Sequence, residues 1–491
     1  MTISSPSCNT SPLSAYNPSA GNPWNESKAK HVYRRLAAGA PKSVLNVAVQ
    51  KGPQKLVSEI MTEAKNMPNY KTPVWAKWAN KDFKNYHNDI KECKYEIRRQ
   101  TIEHFLEKGL KGRLVLFWMN HFVTDIDTYT HAPYMFQYWD ILQKYALGNF
   151  RDFVKAIGTT PAMLYSLDGF YNTKFKPNEN YARELYELFT LGENNGYTQE
   201  DIKETARSLT GYNTQFDNGG KILFDVNKFD RGTKVIFNRI GYYRHNKVID
   251  ILFKKRGDLI AKFIARKLYK YFVCPDVNEN IVDEMAKTLV KNDFEMAPML
   301  EQLFKSQHFF DDSVIGTIIK SPYDLLCIFL NESGFSYKRD YNDRSVMETI
   351  NYIHHVTTDL GQRIYKPIDV KGWQRDETWL NGSTIIFRMK ALDDLIMRLR
   401  SYKKNQLLDF VRDLTNNSKD PAFISRTVVN HFLSKPLNTK ADYDTVESVL
   451  KWQVPGNYYK LSKWSLDWNS AEYQVLMLFK HLLTIPEFQL K

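Results

Sequence analysis

One Arg and three carboxylates, Glu179, Arg183, Glu184 and Glu187, crowd into nine residues of the stretch Asn178–Gly192, whose sequence is Asn-Glu-Asn-Tyr-Ala-Arg-Glu-Leu-Tyr-Glu-Leu-Phe-Thr-Leu-Gly. Glu179 and Arg183, and Arg183 and Glu187, are i,i+4 pairs that share one flank of a helix. Glu184 and Glu187 are three residues apart and therefore neighbours. Two close carboxylates can share a proton or hold a cation, which is the chemistry of acid/base and metal sites. The plainer reading is a surface helix with ion pairs worth about 0.3–0.5 kcal/mol each. The helix itself is well signalled. Tyr181, Ala182, Leu185, Leu188 and Phe189 form an apolar stripe. Asn178 is placed as N-cap and Gly192 as the residue after the last turn.

A second helix follows. Thr198 is its expected N-cap, and Glu200 and Asp201 occupy its first turn, where the macrodipole favours negative charge. Ile202, Ala206 and Leu209 form its stripe, and Gly211 ends it. The Asn-Asn-Gly at 194–196 resembles part of a calcium loop, but an EF-hand with its glycine at Gly196 would need an acidic ligand at Leu191.

Elsewhere, Leu114, Phe117, Trp118, His121 and Phe122 repeat at helical spacing. His121 therefore sits on an apolar face, as a satisfied core residue or as a ligand. His104 belongs to a neighbouring helix. Adjacent His354 and His355 point about 100° apart on a helix and do not favour chelating one ion. The segment Gly372–Asn381 carries Trp373 and Trp379, either as a stacking platform or as a lid packed on the core. Cys8, Cys93, Cys274 and Cys327 are scattered, with no Cys-x-x-Cys and no disulfide framework implied. No P-loop, Gly-x-Gly-x-x-Gly, Gly-x-Ser-x-Gly or His-Glu-x-x-His is present, so the common routes to nucleotide, dinucleotide, serine esterase and zincin chemistry lack support. No metal site and no cofactor is expected.

Several pieces recur in a fixed order. Asn178–Gly192, Gly196-Tyr197-Thr198-Gln199 and Ala206–Tyr212 are preceded by Phe117-Trp118-Met119-Asn120-His121-Phe122, Leu147-Gly148-Asn149-Phe150 and Pro161-Ala162-Met163-Leu164. They are followed by Lys320-Ser321-Pro322, Gly361-Gln362, Gly372-Trp373, Trp379-Leu380-Asn381, Arg388 and Pro486-Glu487-Phe488-Gln489-Leu490. Together, over residues 30–491, they resemble the bacterial family called "domain of unknown function 1800". Its members commonly carry a His-Asp pair after the second signature helix. Here Phe229 stands at the His position in Lys228-Phe229-Asp230-Arg231-Gly232-Thr233-Lys234, leaving Asp230 and Lys234. Candidate catalytic residues are thus Arg183, Glu184, Glu187 and Asp230. Candidate binding residues are Asn178, His121, Lys234, Trp373, Trp379 and Arg388.

The elements that must position these residues read as mainly α: a large multi-helix body with a small β-hairpin or ribbon inserted around residues 212–240. Residues 1–29 read as a disordered or extended tail. Residues 30–335 read as a helical domain with the signature helices at 179–211, and 345–491 as a C-terminal helical region packed on it as one body. The turn-rich segment 334–345 lies between them. Hydrophobic residues make up 43% and aromatics 14%, enough for a substantial core. The net charge of +13 permits contact with an acidic polymer or protein partner, but it is diffuse, and no nucleic-acid-binding motif accompanies it. No apolar run approaches the ~18 residues of a membrane span. The start carries no secretory signal, which reads as cytoplasmic, whereas the resemblance implies export. Two functions remain in view. One is a non-catalytic scaffold or binding protein, with the cell envelope as a place of work. The other is a hydrolase of a polymer such as polysaccharide that uses Glu184 and Glu187.

Overall fold

The computed structural model describes residues 11–215, 218–337, 344–403, 405–461 and 463–491, without the side chains of 344–348. Cys8 and half of the turn-rich segment 334–345, residues 338–343, lie outside the described residues. Among the described residues the fold is mainly α, with twenty-two α-helices and two small antiparallel two-stranded sheets. Helix starts are set by side chains. Thr198 and Asp201, Ser321 and Asp324, and Thr439 and Asp442 each form a reciprocal capping box.

The inserted β segment consists of two hairpins. Strand β1 (Tyr212–Gln215) pairs with β2 (Ile222–Phe224), and β3 (Lys234–Ile236) pairs with β4 (Arg239–Gly241). Phe237 and Asn238 both have positive φ, as the tight turn between β3 and β4 requires. The β3–β4 hairpin is fastened to the helix Gln199–Ser208 through its backbone. Val235 N–H donates to Glu204 at 2.8 Å, and Phe237 N–H donates to Asp201 at 2.7 Å.

One continuous hydrophobic core runs from Leu13 to Phe488. Its aromatic content is used for helix packing: Trp118 is fully buried and its ring lies 5.6 Å from Phe150 and 5.2 Å from Phe153. The first helix, Glu26–Leu36, ties distant segments together. Arg34 makes a two-pronged ion pair with Glu332 at 2.5 and 2.7 Å and donates to the Phe432 carbonyl at 2.9 Å. Ahead of that helix, residues 12–16 run extended against 305–308, with Tyr16 N–H donating to the Lys305 carbonyl. Cys274 is disulfide-bonded, whereas Cys93 and Cys327 are free and buried. No described helix is long and apolar enough to cross a membrane.

Candidate ligand cleft and the signature cluster

The signature stretch is helical, but only its first part is an α-helix. Asn180–Glu184 is α, and Leu185–Thr190 continues as a π-helix. Asn178 accepts the Asn180 N–H at 2.9 Å in a turn ahead of the helix, but the N-cap is Glu179 and not Asn178 as expected, and Gly192 follows the last turn with φ +96°. Arg183 bridges Glu179 at 3.1 Å, Glu187 at 3.3 Å and Gln199 at 3.0 Å. These side chains are partly exposed: 36% for Arg183, 34% for Glu179 and 23% for Glu187. Glu184 lies beside them but outside these bonds. Among the described residues its carboxylate makes no hydrogen bond or ion pair, and burial followed by the neighbouring Glu187 charge pushes its carboxyl above the usual range.

A π-helix leaves carbonyls at its end that need outside donors. His121 supplies one and Lys267 another. His121, 2% exposed, meets the Phe189 carbonyl through Nε2 at 3.1 Å, and its Nδ1 lies 3.0 Å from Lys267 Nζ. Lys267 also reaches the Leu188 carbonyl at 3.4 Å. These partners assign a neutral ring with the proton on Nε2. Burial first, and then Lys267, hold the His121 imidazole well below its ordinary value.

Asp230 and Lys234 sit together in a separate cluster. Asp230 accepts from Arg207 at 2.8 Å and from Gly232 N–H at 2.7 Å, and Arg207 pairs with Glu204 at 2.7 Å. Lys234 is buried and donates to the Asp230 carbonyl. Phe229, at the position where the resemblance implies His, lies under two cations. Lys234 Nζ is 4.6 Å and the Arg244 guanidinium 5.3 Å from its ring centroid. An aromatic face attracts both charges, whereas a protonated imidazole would repel them. Arg388 is elsewhere again, fully buried, donating to Gln489 at 2.8 Å and the Lys320 carbonyl at 2.7 Å.

Trp373 and Trp379 line a narrow cleft with a cavity volume of about 50 Å³. Gly372 has φ +94°, and a Cβ there would fall 2.3 Å from Asn120 Oδ1. That close approach lets Trp373 N–H donate to Asn120 at 2.5 Å, while its indole donates to the Arg363 carbonyl at 2.9 Å. Two carboxylates share the cleft, and their surroundings push them in opposite directions. Asp324, 2% exposed, accepts from Arg113, from Lys491 at 2.5 Å and from Ser321 Oγ at 3.0 Å. Burial alone would raise its carboxyl, but Arg113 and Lys491 outweigh that and hold it well below the usual range. Asp376 has φ +55° and, among the described residues, no side-chain hydrogen bond or ion pair. Burial pushes its carboxyl up despite the nearby Arg375, Lys491, Lys270 and Arg35. A left-handed backbone under a desolvated acid in a cleft is a functional-site pattern.

Of the residues singled out from sequence, Arg183, Glu184, Glu187 and Asn178 share the signature helix, which His121 reaches through the Phe189 carbonyl. Asp230 and Lys234 form a second group, and Trp373 and Trp379 a third. Sequence reasoning missed Asp324, Arg375 and Asp376. A signal was nonetheless present, because the segments quoted for the family resemblance converge here. Asn120, Ser321, Gln362, Trp373, Trp379 and Lys491, the last just after the terminal motif, line one cleft. No curated protein and no solved structure matches the chain. Residues 31–490 match the family model described as "Protein of unknown function (DUF1800)", and the chain belongs to that family.

Proposed function

We propose that the protein is a non-catalytic binding protein, that its ligand occupies the cleft lined by Trp373 and Trp379, and that the 178–192 signature is architectural. One observation carries this reading: six segments spread over residues 116–491 bring polar and aromatic side chains to a single cleft. Concave sites lined by aromatics with a few polar groups are the usual form of a ligand pocket. The hydrolase reading has less behind it. Glu187 is engaged by Arg183, and Glu184 and Glu187 project from the same side of one helix rather than across a cleft. The disulfide at Cys274 favours work in an oxidising compartment.

The test is a thermal-shift and tryptophan-fluorescence screen of the full chain against small acids, sugars and oligosaccharides. Ligands should be found whose effect disappears in Trp379→Ala and in the gentler Gln362→Leu but persists in Arg183→Met. Turnover of an oligosaccharide that is abolished by Glu187→Gln would overturn the reading in favour of the hydrolase.

A further inference from the structure

The cleft carries more positive charge than its two carboxylates balance. Asp324 is taken by Arg113 and Lys491. Arg375 meets only ring faces, 5.7 Å from the Phe117 centroid and 5.5 Å from that of Tyr271, and makes no side-chain hydrogen bond or ion pair among the described residues. Lys270 is exposed at the same cleft. Gln362, 4% exposed, accepts the Tyr323 N–H at 3.0 Å through its amide oxygen, which leaves its NH2 without a partner among the described residues. Arg35, 1% exposed and close enough to act on Asp376, donates from Nη2 to the Val314 carbonyl, while its Nε and Nη1 find no acceptor. Arg35 thus keeps two buried donors without an acceptor behind the cleft, while the side chains of Arg375, Lys270 and Gln362 line the cleft itself.

We propose that the cleft is an oxyanion site, taking a ligand that carries a carboxylate, phosphate or sulfate on Arg375, Lys270 and the Gln362 amide, with the Asp376 carboxyl beside it. This rests on the cleft being the ligand site. A guanidinium and an amide present N–H pairs that match the oxygens of such groups. Trp373, Trp379 and Ile318 offer the rest of the ligand an apolar face. Burial raises the Asp376 carboxyl, and an oxyanion bound beside it favours the protonated form, which donates a hydrogen bond where an ionised carboxylate would repel. Binding therefore weakens as pH rises through the raised Asp376 value. The groups facing Asp376 are its chain neighbour Arg375 and, from other elements, Arg35, Lys270 and Lys491, with Asp324 in the same cleft. Lys491 also loses its proton in the same direction, because burial lowers it, so an Asp376 variant is needed to separate the two.

The experiment is isothermal titration of the full chain with acetate, sulfate, inorganic phosphate, a digalacturonate and a neutral disaccharide. At least one anion should bind, tenfold or more weaker in Arg375→Gln and several-fold weaker in the surface variant Lys270→Gln. Asp376→Asn should bind with a flattened pH profile. The ranking of acetate, sulfate, phosphate and digalacturonate tells a simple anion from an acidic sugar. An affinity unchanged in both cation variants means an adventitious ion only and overturns the proposal. A neutral disaccharide that binds and is lost in Gln362→Leu, with no anion binding, overturns the oxyanion assignment while the cleft stands. No response of any probe to any cleft substitution overturns both.

Discussion

Replacing Asp324 by Asn tests whether the charges beneath the cleft hold the fold together. Its carboxylate accepts from Arg113 on one oxygen and from Lys491 and the Ser321 N–H and hydroxyl on the other. Arg113 and Lys491 are 1% and 3% exposed, so neither can turn to water. An Asn amide nitrogen on the second oxygen's side would face three donors and break the capping box, a loss of about 1 kcal/mol. Stranding the Arg113 charge costs about 3–5 kcal/mol more. Lys491 limits the damage, since burial already lowers its ammonium and it can shed its proton. The expected loss is therefore roughly 4 kcal/mol at pH 7, read from urea unfolding of wild type and variant. Adding Arg113→Met should restore part of it, because the orphaned charge is then gone. The carboxyl is depressed in the folded state, so its contribution is present above the unfolded value of about 3.9 and is lost as pH falls below it. The variant should accordingly be less acid-sensitive than wild type. A loss under about 1 kcal/mol, with unchanged acid sensitivity, would refute the reasoning.

The signature cluster should matter less than its composition implies. Because its ion pairs are partly exposed, Arg183→Met should lie within about 1 kcal/mol of wild type in the same urea assay. Glu184→Gln should leave the melting temperature at pH 7 unchanged or raise it. The raised Glu184 carboxyl binds its proton more tightly when folded, so stability falls as pH rises from about 4.3 through the folded value, and Gln removes that penalty. A clear fall in melting temperature would contradict this. His121→Asn should cost about 2–3 kcal/mol by opening a cavity and weakening the cap on the Phe189 carbonyl. His121 is held neutral in the fold while the unfolded chain titrates near 6.5. Wild type should thus lose stability as pH falls below about 6.5, and the variant should lose less, as thermal melts between pH 5 and 8 would show.

The helical body, the inserted hairpins and the Thr198 cap were legible because stripe, turn and cap residues act locally. The π segment was not. Hydrogen bonding at i+5 in place of i+4 leaves the spacing of apolar residues nearly intact while turning the last part of the helix. The expected stripe placed Leu188 inside, yet Leu188 is only partly buried while Tyr186 and Thr190 are buried. The cleft was legible only in pieces. Asp324 reads as the third residue of an ordinary capping box, and Asp376 as a polar loop residue. Their opposite protonation tendencies arise from Arg113, Lys491 and burial, contacts that span up to 211 residues of chain.

The signature helix and the cleft form one mechanical unit. The π segment ends in carbonyls that need donors, and His121 supplies one at 3.1 Å. His121 is the last residue of the helix Gly109–His121, and its neighbour Asn120 is the residue that accepts Trp373 N–H. On the other side, Glu193, just past Gly192, pairs with Lys371 at 2.8 Å, two residues before Trp373. The tryptophan segment is thus held at Asn120, next to the residue that meets the signature helix, while the exposed Glu193–Lys371 pair adds little. A shift of one residue in that helix would move the Phe189 carbonyl, the His121 ring and the Asn120 amide together and change the shape of the cleft. The link therefore runs through the backbone end of the signature helix, from the Phe189 carbonyl to His121 and on to its neighbour Asn120, rather than through the partly exposed ion pairs of its carboxylates.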